Sequence, residues 1–410
     1  MKKNIPKIRF KGFTDAWEQR KLGEISDKVT KKNKNTLVEE VFTNSAEFGI
    51  ISQRDFFDKD IANSENIDGY YIVKPNDFVY NPRISTTAPF GPIKRNKLER
   101  AGAMSPLYYV FKSHDINLDY LEWFFQTTCW HAFMRFNGNS GARSDRFAIS
   151  DKIFKELPIS IPKNTNEQKN IGTLLTELDL FITLHQRKCE QLKTFKKSML
   201  EKMFPKNGKN IPEVRFKGFI DDWEQRKLGE ISVFSKGNGY SKNDLTEEGT
   251  PIILYGSLYT KYNFFIDKVD TFTTPSNISV YSQGNEVLVP ASGETSEDIA
   301  RASAIEKPGI IIGGDLNIIR PLDFVDPRFL ALVLSNGEAK KQLIKKAQGK
   351  SVVHIRNSDI KSLFIIYPKK IEQEKIITEI RKLDKLITLY QRKVEKLENI
   401  KKSLLEKMFV

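Results

Sequence analysis

At 410 residues the chain exceeds one ordinary core, which points to two domains. Its 39% hydrophobic content can fill such cores, while 66 Lys+Arg against 52 Asp+Glu leave a formal charge of +14. That excess favours a polyanionic partner, nucleic acid ahead of an anionic membrane surface. The two cysteines, Cys129 and Cys189, exclude a disulfide framework. Met1-Lys2-Lys3-Asn4 leads into no apolar run, and no stretch has the length of a bilayer span, so the expectation is a cytoplasmic protein.

Taken from its start, the chain opens on a segment that it later repeats. Residues 3–26, KNIPKIRFKGFTDAWEQRKLGEIS, return at 209–232 as KNIPEVRFKGFIDDWEQRKLGEIS, with four of 24 positions changed. A second pair closes each half: DLFITLHQRKCEQLKTFKKSMLEKMF at 179–204 and DKLITLYQRKVEKLENIKKSLLEKMF at 384–409. Between these matched ends the halves diverge, although Asp77-Phe78-Val79-Tyr80 and Glu286-Val287-Leu288-Val289 read as one strand seen twice. Matched ends imply two equivalent scaffold or docking surfaces, and unmatched middles imply two different ligands.

Strands are expected near 70–73, 78–80 and 107–111, and again near 252–254, 286–289 and 316–319. Helices are expected over 119–136 and 327–347. From about 166 to 203 the chain reads as one long helix, with a heptad seam through Ile171, Leu174, Leu178, Phe181, Leu192, Phe195 and Met199. The second copy offers Ile376, Leu383, Leu386, Tyr390, Leu397, Ile400 and Leu404. Each helix spans about 54 Å at 1.5 Å per residue. The fold class expected is therefore α+β, or mixed α/β: two tandem domains separated by two long antiparallel coiled-coil helices in a pseudo-twofold internal repeat. The boundaries are 1–160 for the first domain, 161–204 for the central helix, 205–366 for the second domain and 367–410 for the C-terminal helix.

Catalytic motifs fail one by one. Four histidines and two cysteines lack ligand spacing, so no metal site is expected. Gly349-Lys350-Ser351 ends like a phosphate loop, but Ile344 stands where its first glycine belongs. Glu167-Gln168-Lys169 has a nuclease-like spacing without its partner carboxylate. Tyr80-Asn81-Pro82-Arg83 resembles the adenine-methyltransferase motif, yet Arg83 and Ile84 replace its second proline and aromatic.

Binding chemistry remains. Just before each long helix lies a basic, small-residue loop, where glycines let backbone approach phosphate and Lys/Arg neutralise it. The first holds Arg143, Ser144, Asp145 and Arg146; the second holds Lys345, Lys346, Gln348, Lys350, Ser351, His354 and Arg356. Secondary candidates are Arg83, Thr86, Thr87, Lys94 and Arg95 in the first half, and Ser292, Glu294, Thr295 and Arg301 in the second. Residues 241–301 carry four Lys/Arg against nine Asp/Glu, so the basic stretch 340–356 must supply most phosphate contacts of that half.

The repeated Trp-Glu-Gln-Arg-Lys-Leu-Gly-Glu at 17–24 and 223–230, the Glu-Gln pairs 167–168 and 372–373 that follow Pro162 and Pro368, and the closing Lys-Lys-Ser-Met/Leu-Leu-Glu-Lys-Met-Phe carry a resemblance. The chain resembles the specificity subunits of type I restriction–modification enzymes, in family order along essentially its whole length. That resemblance implies two target-recognition domains on the two halves of a bipartite, asymmetric DNA site, with the helices as a ruler for the spacer. It implies two docked methyltransferase subunits that modify adenine with S-adenosylmethionine, and motor-endonuclease subunits that use ATP and Mg. The chain itself would hold no catalytic residue, cofactor or metal, and would touch no membrane. Docking is expected around Trp17, Glu18 and Arg20, and around Trp223, Glu224 and Arg226. A stand-alone DNA-binding regulator and an autonomous adenine-N6 methyltransferase are the alternatives.

Overall fold

The structure is a computed structural model that describes residues 4–56, 67–140, 145–206, 208–349 and 352–410. The chain divides into two compact units, 1–186 with 392–410, and 187–391. Each unit therefore combines one globular domain with a half of each long helix. The helices are Thr165–Lys202 and Lys370–Lys407, both 38 residues long. Within the first unit Asp179 pairs with Lys401 and Gln186 hydrogen-bonds Glu398; within the second, Lys196 pairs with Asp384. Rising numbers on one helix meet falling numbers on the other, so the pairing is antiparallel.

The heptad seam keeps Ile171, Leu178 and Ile376 inside as expected, but shifts by one residue to Leu175 and Ile182. Ile171, Leu175, Leu178 and Ile182 are buried in the first unit, as are Cys189, Leu200, Ile376, Ile380 and Ile387 in the second. Successive helical residues turn by about 100°, so a seam through 178 and 182 directs Phe181 and Leu184 outward. Phe181 is 53% exposed and Phe195 52%, where both were expected inside. Two apolar stripes share these helices, and only one is buried.

The first unit is built on a four-stranded antiparallel sheet in which Phe78–Tyr80 lies between Tyr109–Ser113 and Ile93–Arg95, with Ser26–Lys28 outermost. The second unit repeats that centre: Glu286–Pro290 runs antiparallel to Leu316–Pro321 on one side and Ser303–Ile305 on the other. Alternate side chains of each central strand fill cores on both faces, such as Phe78 and Tyr80 against Val79. The second unit adds another five-stranded sheet around Thr250–Ile253 and Pro308–Ile312, with no like-sized partner among the described residues of the first.

Each helix expected between sheet and basic loop breaks in two. Leu118–Phe124 stops where Thr127 donates its hydroxyl to the Phe124 carbonyl (2.7 Å), before His131–Asn137 begins. Pro327–Leu334 stops at Ser335, and Gly337, at φ +61°, opens Gly337–Lys346. Apolar periodicity continued through both corners and concealed them.

The repeated termini lock domain to helix in the same manner twice. Arg9 grips the Glu167 carboxylate with two hydrogen bonds of 2.6 and 2.8 Å, and Arg215 grips Glu372 with two of 2.8 Å. Gln168 accepts from the Asn117 amide and donates to the Pro162 carbonyl, both at 2.9 Å. Gln373 bridges the Asp326 amide and the Pro368 carbonyl, both at 2.8 Å. The Glu-Gln pair is thus a structural clamp, with its acidic member in the first helical turn where the dipole favours it. Phe204 enters the second core beside Trp223 and Phe329, and Phe409, near the chain's end, enters the first core beside Tyr120 and Phe124.

Candidate nucleic-acid interface

The central strand of each domain ends in a short extension that pairs with the basic loop. In the first unit Arg83 bridges to Arg146; Ile84 N–H donates to the Asp145 carbonyl (3.1 Å) and Phe147 N–H to the Pro82 carbonyl (2.8 Å). In the second, Ser292–Gly293 pairs antiparallel with Val353–His354, and Ile355 N–H donates to the Ala291 carbonyl (3.0 Å). In the second loop Gln348 and His354 exchange backbone hydrogen bonds of 3.0 and 2.8 Å. Backbone pairing of this kind accepts almost any side chain, so one frame can present different chemistry in each half.

Exposed on the first frame are Arg83, Thr86, Thr87, Asp145 and Arg146. Exposed on the second are Glu294, Lys345, Lys346, Gln348, His354 and Arg356. Lys345 and Lys346 close the last turn of Gly337–Lys346, where unsatisfied carbonyls favour cations. Arg143, Ser144, Lys350 and Ser351 lie outside the described residues.

Several expected contacts have other work. Lys94 is largely buried and donates to Gln126 (2.9 Å), and its burial lowers the ammonium's pKa. Arg95 is held by Asp119 (2.5 Å) and Glu122 (2.9 Å) beneath the surface. Ser292 is buried, with its hydroxyl 3.3 Å from Asp315. Thr295 is exposed, but its hydroxyl caps Ser296–Ile299 by accepting from the Asp298 amide, and Arg301 pairs with Asp298 (2.6 Å) over the rings of Tyr259 and Tyr262. A basic or hydroxyl side chain beside a loop is legible in sequence; the carboxylate or backbone group that occupies it is not.

The indoles expected at a docking surface are core residues. Trp17 is 4% exposed and meets Tyr120 edge-on at 5.9 Å; Trp223 is 2% exposed and meets Phe329 at 5.8 Å. Glu18 and Arg20, with Glu224 and Arg226, lie on two equivalent ribbons, Glu18–Lys21 against Pro158–Ile161 and Glu224–Lys227 against Phe364–Tyr367. The outward apolar stripe recurs instead: Phe181, Leu184 and Ile400 in the first unit, and Leu386, Leu389 and Phe195 in the second, each residue a repeat counterpart of the other set.

At Tyr80-Asn81-Pro82-Arg83, Asn81 is committed locally. Its amide donates to the Asn44 carbonyl (2.8 Å), and its oxygen accepts from the Arg83 amide (2.9 Å). Glu167, the other decoy, has its carboxylate closed by Arg9. Among the described residues no three His, Cys, Asp or Glu side chains gather as metal ligands, and no helix is long and apolar enough to cross a membrane.

A repeated frame that holds two unlike polar arms beside paired helices defines a two-headed recognition protein. The family described as Type I restriction modification DNA specificity domain matches residues 14–194 and again 220–399. The chain belongs to that family. It is 25% identical over 268 residues to the type I restriction enzyme MjaVIII specificity subunit of Methanocaldococcus jannaschii, an alignment covering 63% of this chain and 62% of that one. The putative MjaX specificity subunit of the same organism is 25% identical over 285 residues, covering 63% and 60%. The match thus spans less than two thirds of either relative. The type I restriction–modification S subunit of M. genitalium shares the fold, with a TM-score of 0.57 at 15% identity over 99% of both chains. So does a chain from a structural study of assembly and conformational transition in a type I R-M system, at 0.51 and 13% over 97% of this chain and 98% of that one.

Proposed function

We propose that each domain reads one half of a bipartite, asymmetric DNA site, and that the chain delivers docked adenine methyltransferase and motor-endonuclease subunits to it. One observation carries this reading. The same backbone rung, 82–84 with 145–147 and 291–293 with 353–355, presents Arg83 and Arg146 in one unit but His354 in the other, where Gln348 pairs with His354 and Arg356 follows it. Arginine suits guanine and glutamine suits adenine in the major groove, while the neighbouring Lys345 and Lys346 suit phosphate.

Two identical partners require two equivalent surfaces. The repeated outward stripe, Phe181 with Leu184 and Leu386 with Leu389, provides them, and an exposed apolar stripe at repeat-equivalent positions is what partner helices cover. The chain itself is non-catalytic in this reading: S-adenosylmethionine, ATP and Mg act in the partner subunits. The helices, continuous through both units, set the unread spacer between half-sites.

Adenine-methylation sequencing of host DNA, with the gene intact and deleted, tests the assignment. A bipartite motif that loses N6-methyladenine on deletion is expected. Methylation unchanged at every motif, with purified chain binding a specific duplex alone, would favour a stand-alone regulator. S-adenosylmethionine binding by the isolated chain would favour an autonomous methyltransferase.

A further inference from the structure

The first unit holds a cleft of about 860 Å³ beside the Arg83–Arg146 rung. Tyr80, Tyr108, Tyr109 and Phe147 line it, Phe136 stands among its lining residues, and Arg146 belongs to it as well. Two features are costly unless something enters. Phe136 is 89% exposed, an aromatic ring offered to water at the end of His131–Asn137. Tyr80 is 3% exposed, yet its hydroxyl has no hydrogen-bond partner. A buried polar group left unpaired destabilises the fold, and so marks a place where a ligand can supply the missing partner. The acidic lining residue Asp151 is neutralised by Lys28.

The described residues of the second unit differ at this place. Met134 and Leu343 are both fully buried one turn before their helix ends, and the residues two places on are Phe136 and the exposed Lys345. Among the described residues the aromatic lip stands in the first unit.

We propose that this cleft is a nucleobase site that receives one base turned out of the duplex at or beside the first half-site. The inference rests on the DNA reading above. A base offers two π faces, which aromatic side chains stack on whatever its identity. It also carries a polar edge, which the Tyr80 hydroxyl, both donor and acceptor, can meet. Arg146, a lining residue of the cleft, neutralises the phosphate that follows an everted base, leaving Arg83 to a base edge. Proteins that evert a base bind more tightly where the pair is already broken, because the unpairing cost has been removed.

The test uses the chain in complex with its methyltransferase, on the duplex found by methylation sequencing. Single positions through the first half-site and its flanks are unpaired in turn, and affinities are measured for native, Phe136→Ala and Tyr80→Phe complexes. One position is expected to gain about tenfold in the native complex and to lose that gain in Phe136→Ala. Tyr80→Phe, which removes only the unpartnered hydroxyl, is expected to keep the native stability but alter which base gains most. The adenine taken by the methyltransferase gains equally in both Phe136 forms, which separates the two events. If the native complex binds its duplex and no position shows a Phe136-dependent gain, the nucleobase site is overturned while DNA recognition stands. If it binds no duplex, both fall. Saturable binding of free adenosine, guanosine, cytidine or thymidine that depends on Phe136, without any gain from unpairing, overturns the duplex as the source.

Discussion

A carboxylate with no exposed surface must keep a charged partner, and Glu167 keeps Arg9. Trp17 adds an indole N–H at 3.4 Å. Removing one member of a buried ion pair strands the other in a low-dielectric site, at a cost of about 3–5 kcal/mol. Arg9→Ala is therefore expected to lower unfolding free energy by about that amount in urea titrations, and Arg215→Ala to do the same through Glu372. A loss below about 1 kcal/mol, the usual value of a surface pair, would show that the clamp is not stabilising. The same pair explains why the Glu-Gln motif returns in both halves: it fastens a repeat terminus to a helix start.

At the scale of elements, the two long helices carry one apolar stripe inward and one outward. Ile182 sits in the inward seam, and its truncation to alanine is expected to cost about 2–4 kcal/mol through lost burial and the cavity left behind. Phe181, one residue away, is half in water, so Phe181→Ala should stay within about 0.5 kcal/mol of native stability in the free chain. The order reverses in the assembly. Co-purification with the methyltransferase subunit is expected to fall sharply for Phe181→Ala combined with Leu386→Ala, with thermal stability retained. Undiminished co-purification would move docking away from this face.

On the scale of the whole molecule, the division of labour is between frame and arms. The sheet centre, the rung and the clamp recur, while the loops on the rung do not. Exchanging residues 27–156 for the corresponding region of another family member is expected to change one half of the methylated motif and leave the other half and the spacer intact, read by the same methylation sequencing. Changes in both halves would mean that the two heads are coupled and not modular.

The two-domain count, the internal repeat, the paired long helices and the loops just before them were legible in the amino-acid order, because repetition and apolar periodicity are local properties of the chain. The shared strand of Phe78–Tyr80 and Glu286–Pro290 was legible for the same reason. What lay beyond reach was the choice among faces. Phe181 and Ile182 are both apolar at helical spacing, and only the tertiary fold decides which is buried. Lys94 and Arg95 read as secondary DNA-contact candidates, and the bonds they make to Gln126, Asp119 and Glu122, 24 to 32 residues away, carry no local signal. Trp17 and Trp223 marked the repeat correctly yet pack inward, since an indole's burial depends on Tyr120 and Phe329, far along the chain. Sequence alone determined which residues recur; tertiary structure alone decided which of them meet water, because burial is a property of long-range contacts that no local pattern encodes.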